Sequence, residues 1–200
     1  MKRSYCELWL RPLILTLLLV SAPAFAASAE WSDWSSSVEF TREPVIEGLP
    51  PEAPIDGTLS TVDTTRNIIY LFRYGQLVRQ VKAATGMDRM LKKGQRTWLF
   101  RTPRGLMPIQ RKIVDPVWTT PDWAFVEKGQ KVPPINSPKR REAGTLGKYA
   151  LDLGDGILIH GTKDLASLGT KASHGCIRVG PKMLELLFTE AEVGTKVYVF

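Results

Sequence analysis

Cysteine and histidine are scarce in this sequence, with two of each among 200 residues. Cys6 stands in the first ten residues, so Cys176 is the only later thiol. One thiol makes no internal disulfide, which excludes a disulfide-stapled scaffold for the folded part of the chain. Long apolar runs are missing as well. "PLILTLLLV", residues 12–20, is broken by Thr16, and crossing ~30 Å of hydrocarbon takes about 20 residues. No basic stripe is interleaved with aromatics, so nothing points to nucleic acid. "PKRRE" at 138–142 reads as a solvated loop.

What the first residues do contain is an export pattern. Lys2, Arg3 and Arg11 precede the apolar run, and "SAPAFA" follows it, with Ala24 and Ala26 at the small-residue spacing of a signal-peptidase site. Residues 1–26 are therefore expected to be a cleavable signal peptide, cut after Ala26, taking Cys6 with it and leaving no stable membrane span. A periplasmic location is the expectation. About 174 residues remain, enough for one domain. Cleavage removes three positive charges and one negative, so the formal net charge falls from +7 to +5. That balance is compatible with an anionic partner and selects none. Residues 27–56, rich in proline, serine and acids, carry no lasting period and read as a linker, with Trp31 and Trp34 free to pack back on the domain.

From residue 57 the texture changes. "TLSTVDTT", "NIIYLFR" and "LVRQVKAAT" are short runs of β-branched and aromatic residues, with turns at 66–67 and 73–76; they read as a β-meander. "TWLFR" and "LMPIQRKIV" read as further strands around the turn Thr102-Pro103-Arg104-Gly105. Residues 115–147 lose strand character and hold five prolines, at 116, 121, 133, 134 and 138. So long a loop in one domain is expected to serve a site, and Trp118, Trp123 and Phe125 suit a lid. "KYALDL" and "GILIH" form a hairpin around Gly154-Asp155-Gly156, and "CIRV" is another strand. "PKMLELLFTEA" is the one clear helix, with Pro181 in its first turn. "TKVYVF" closes the chain as a strand. The expected class is mainly β with one or two short helices and a long lid loop.

Both histidines and the late cysteine fall within residues 160–176. His160 ends a predicted strand, and Gly161 allows the backbone to turn there. Cys176 opens another strand, so two strand ends can set imidazole beside thiol. An imidazole that takes the thiol proton leaves a thiolate, the nucleophilic form, and the imidazolium can later protonate a leaving amine. In "SHGC" the backbone N–H groups of Gly175 and Cys176 lie near the sulfur and suit an oxyanion. Three readings stay open: a catalytic Cys–His pair, a zinc site of His160, His174 and Cys176, and a cluster without chemistry. His174 also rivals His160 for the base.

"IHGTKDLASLGTKASHGCIRV", 159–179, resembles the signature of the L,D-transpeptidases with the YkuD-type catalytic domain. Weaker likeness extends over 57–200, in "VDTTRNIIYLFRYGQLVRQVKAATG", "TPRGLMPI" and "PVWTTPDW". The resemblance implies a β-sandwich-like domain over 57–200 with its lid at about 115–147. It implies an exported enzyme acting on peptidoglycan stem peptides; no cofactor and no metal are required, because the thiol and the imidazole supply the nucleophile and the proton transfers. Carried over by residue, Cys176 is the nucleophile and His160 the acid and base. Gly161 orients His160 through its carbonyl, and Ser173, His174 and Gly175 shape the oxyanion site. Arg178 fixes the loop or meets a substrate carboxylate, and Trp118 and Trp123 are candidate substrate contacts from the lid. The acyl acceptor is a second stem, giving a 3–3 cross-link, or a lysine of an envelope protein. With water the site becomes an L,D-carboxypeptidase, and a wall-binding module without activity is a rival of another class. Two departures stand out: residues 87–101 are longer than the family's usual link, and no wall-binding repeat is present.

Overall fold

The computed structural model of the chain describes residues 57–200. The expected signal peptide (1–26) and linker (27–56), with Trp31 and Trp34, lie outside the described residues. The meander is β1 (Thr58–Asp63), β2 (Ile68–Arg73) and β3 (Gln76–Lys82), paired antiparallel in order. Its first turn is set by Asp63, whose Oδ1 accepts from the N–H groups of Thr65 and Arg66 at 2.8 and 2.9 Å. Then come β4 (Thr85–Gly86), β5 (Arg89–Lys93), β6 (Arg96–Phe100), β7 (Gly105–Pro108), β8 (Arg111–Val114) and β9 (Val117–Thr119). Helix α1 (Asp122–Glu127) is followed by β10 (Arg141–Ala143), β11 (Tyr149–Asp152), β12 (Leu158–Gly161), β13 (Lys171–Ser173) and β14 (Ile177–Val179). Helix α2 (Pro181–Glu190) and β15 (Lys196–Val199) complete the order.

Two larger sheets carry the fold. One runs β3-β2-β1-β15-β7, with β15 parallel to β1 and antiparallel to β7. The other runs β14-β12-β11-β8, with only β12 and β14 parallel. Strand alternation sends Val62, Ile69, Leu71, Val197 and Val199 of the first sheet, and Leu151, Ile159, Ile177 and Val179 of the second, into one core. The apolar stripe of α2 joins it through Met183, Leu184 and Leu187, all buried. Burial of each such side chain favours folding by about 2 kcal/mol. The protein is mainly β, as the strand pattern leads one to expect.

The departures from expectation have physical causes. "LMPIQRKIV" is two strands in different sheets, because the chain changes partner between Ile109, whose N–H donates to Thr195 O before β15, and Gln110, whose N–H donates to Asp152 O of β11. Residues 115–147 are not strandless: β9 and β10 pair antiparallel, Trp118 opposite Glu142, and α1 lies between them. In "PKRRE" Pro138, Lys139 and Arg141 are exposed as expected, but Arg140 is not. Arg140 is 2% exposed, and its guanidinium donates to the carbonyls of Thr120, Pro133 and Pro134 and to Asp122. Residues 87–101 form the β5–β6 hairpin.

Candidate active site

The loop from Ser173 to Arg178 is tied at both ends to one short segment. β13 pairs with β4, and the Met87 N–H donates to Ser173 O at 2.9 Å. At the other end Ala84 and Arg178 exchange both backbone hydrogen bonds, at 2.8 and 2.9 Å. Between these ties Gly175 has φ +139°, and a Cβ there would stand 3.3 Å from Arg101 O. Both the conformation and the space call for glycine. The Ser173 hydroxyl donates to Cys176 O and accepts from the Gly175 N–H. That second bond changes the expected oxyanion pair: the Gly175 N–H is already engaged, which leaves the Cys176 N–H as the candidate donor of the two.

Register sets His160 and Cys176 on one face of the second sheet. In the parallel pair β12–β14, Ile159 faces Ile177 and His160 faces Arg178. The isoleucines point into the core. Alternation therefore puts His160 and Arg178 on the opposite face, with Cys176 at the mouth of β14 on that face. Nδ1 of His160 lies 2.7 Å from Gly161 O. A carbonyl only accepts, so Nδ1 carries the proton and Nε2 keeps its lone pair. Gly161 does not turn the chain. It is the last residue of β12, and a Cβ there would meet Gly147 Cα and Leu146 O, each at 3.2 Å. Close approach of two backbones is what requires glycine.

Burial sets the charge states. His160 is 7% exposed. Desolvation, opposed by the Gly161 hydrogen bond and reinforced by the Arg178 charge, brings its pKa down to about 4. Burial also pushes the Cys176 thiol up, while the Leu158 N–H and the Arg178 charge pull it down. The thiol donates to Gly156 O at 3.5 Å. Both shifts favour the neutral thiol and the neutral imidazole over the thiolate–imidazolium pair. Among the described residues no hydrogen bond or ion pair engages the Arg178 side chain, and its charge acts on His160, His174 and Cys176 alike.

His174 faces elsewhere. Its ring stacks on Trp123 (centroids 4.0 Å, 15° between planes), meets the edge of Phe100 at 4.5 Å and reaches Glu127 Oε2 at 3.0 Å through Nε2. Trp118 stands 6.2 Å from Trp123. Both tryptophans are thus part of an aromatic group against the Ser173–Cys176 loop. His160, His174 and Cys176 do not converge on one point, and among the described residues no three His, Cys, Asp or Glu side chains are grouped to hold a metal ion.

Several contributors escape sequence reading. Thr102, 3% exposed, accepts from the Gly86 N–H and donates to Gly175 O, both at 2.8 Å, and so braces the loop from behind. It was visible only as part of a Thr-Pro-Arg-Gly turn. Glu127 and Phe100 have no sequence signal of their own, because their partner His174 comes from a distant element.

A two-sheet fold of this kind is known. It matches the L,D-transpeptidase (residues 123–326) of Xylanimonas cellulosilytica with a TM-score of 0.55 at 21% identity, covering 75% of this chain and 63% of that one. It also matches L,D-transpeptidase 3 of Mycobacterium tuberculosis, solved in complex with a faropenem-derived adduct, with a TM-score of 0.51 at 18% identity over 72% of this chain and 60% of that one. In sequence the chain is 34% identical over 92 residues to "Probable L,D-transpeptidase YbiS" of Escherichia coli K12, 44% of this chain and 29% of that protein. "Probable L,D-transpeptidase ErfK/SrfK" of the same organism is 32% identical over 102 residues, 49% and 32% of the two lengths. The chain covers less than a third of either of these relatives. The family model for the YkuD L,D-transpeptidase catalytic domain matches residues 57–199. The chain belongs to that family.

Proposed function

We propose that this chain is an exported L,D-transpeptidase that works through a thioester on Cys176. The observation that carries the reading is the oriented His160 ring, whose Nδ1–H is held by Gly161 O so that Nε2 is the free base on the face bearing the thiol. In the first step Sγ attacks the carbonyl of the third residue of a tetrapeptide stem while Nε2 takes the thiol proton. The Cys176 N–H holds the oxyanion. The C–N bond to D-alanine breaks as His160 returns the proton to the leaving amine, and the thioester remains. In the second step an amine of another stem, or of an envelope protein, attacks the thioester. His160 takes the amine proton, the C–S bond breaks, the proton passes to sulfur and a new amide forms. Desolvation favours one half of each transfer: taking the thiol proton is uphill for so weak a base, and giving the proton up is downhill. The imidazole is neutral when it must accept, and once protonated beside Arg178 it is a strong acid that gives the proton up readily.

Intact mass after mixing the protein with faropenem tests the acylation. Wild type is expected to gain one covalent adduct and Cys176→Ala none. On purified stems Cys176→Ala is expected to lose transfer while keeping its fold by circular dichroism. An adduct of equal yield on Cys176→Ala would defeat the proposal. Release of D-alanine without an amide product, in the presence of acceptor stems, would instead assign water as the acceptor.

A further inference from the structure

The contacts of His174 leave a question that the two-step chemistry does not answer. It is one of the two residues between Ser173 and Cys176, yet every contact of its ring described above is with another element. Two of those partners, Trp123 and Glu127, lie on α1. The third, Phe100, ends β6 and also meets Trp123 edge-on at 5.2 Å. Behind α1 stand two further ties. Asp122 receives Arg140 at 2.6 Å from within the lid and Arg96 at 2.7 Å from the β5–β6 hairpin. The hairpin, the lid helix and the nucleophile loop therefore meet at one imidazole.

We infer that His174 is a positioning residue that latches α1 of the lid, backed by the β5–β6 hairpin, onto the loop carrying Cys176, so that lid seating and nucleophile geometry are set together. This rests on the reading of the site as a thioester acyltransferase. The ring is suited to it by shape and by chemistry. A flat imidazole stacks on indole where an aliphatic side chain has no such geometry, and Nε2 supplies a directional bond to a carboxylate. Burial lowers the His174 pKa while Glu127 raises it, and Arg178 lowers it. The neutral ring keeps the hydrogen bond when Nε2 carries the proton, and the imidazolium adds charge attraction. The role also accounts for residues 87–101: their length places Arg96 and Phe100 against the lid.

The test separates loop geometry from thiol chemistry. Trp123→Ala, Trp123→Phe and Glu127→Gln are made in the whole chain and compared with wild type on tetrapeptide stems, with Cys176 alkylation by iodoacetamide measured alongside. Trp123→Ala is expected to lower kcat about tenfold, the scale of one lost aromatic contact, with alkylation as fast as in wild type or faster. Trp123→Phe is expected to restore most of kcat. Glu127→Gln, a change at an exposed site, is expected to lower the pKa of His174 in a histidine NMR titration and leave that of His160 in place. The latch is overturned if Trp123→Ala keeps wild-type kcat, if Phe restores nothing while the protein is folded, or if Glu127→Gln leaves the His174 titration unmoved. Wild type that forms no penem adduct at Cys176 would instead remove the reading on which the latch rests.

Discussion

At the scale of single residues, burial decides more than identity. His160 titrates near 4 in the folded chain and near 6.5 when unfolded. Between those values the unfolded chain binds the proton that the folded chain refuses. Stability therefore falls as pH drops from about 6.5 to about 4 and levels below that. The full difference is roughly 3 kcal/mol. Urea midpoints measured from pH 4 to 7 are expected to show this slope in wild type and a flatter one in His160→Gln. Rivalry between the two histidines was not legible in their spacing, because it depends on which neighbours each ring meets. Gly161 O is adjacent in sequence to His160, whereas Glu127 lies 47 residues from His174. Thr102 was illegible for the same reason, as its hydroxyl reaches Gly175, 73 residues on.

At the scale of elements, residues 120–140 owe their shape to Arg140. Five donor contacts from one guanidinium gather Thr120, Asp122, Pro133 and Pro134. Proline-rich backbone has few N–H groups with which to pair its own carbonyls, and an arginine supplies them. Arg140→Ala is expected to loosen residues 120–140 while the two main sheets persist. Hydrogen exchange reads this directly: the Thr120 amide, which donates to Arg140 O at 2.7 Å, should lose protection, and those of β1 and β15 should keep it. Equal loss across the protein would mean that this segment is not a separate unit. Strands β1 to β3 and helix α2 could be read from local pattern, since β-branched alternation and a 3.6 period announce themselves. The β9–β10 ribbon could not, because three-residue strands hold no period and exist through their partners. "KRR" read as solvated for a similar reason: nothing local tells a guanidinium that carbonyls will enclose it.

At the scale of the whole molecule, the order of strands matters more than their number. β15 lies between β1 and β7, and its Val197 and Val199 are fully buried. Removing residues 196–200 would expose the inner edges of both neighbours and empty two core positions. The shortened chain is expected to lack a cooperative thermal transition in near-ultraviolet circular dichroism, and a sharp transition near that of wild type would show that the sheet closes without its middle strand. The position of β15 carries a further consequence, for synthesis rather than stability. β1 pairs at Leu59 with Lys196, so during synthesis the first described strand must wait for the last described one. Until Val199 has emerged there is no closed sheet, and the growing polypeptide stays slack enough to be threaded, chaperoned or cleaved.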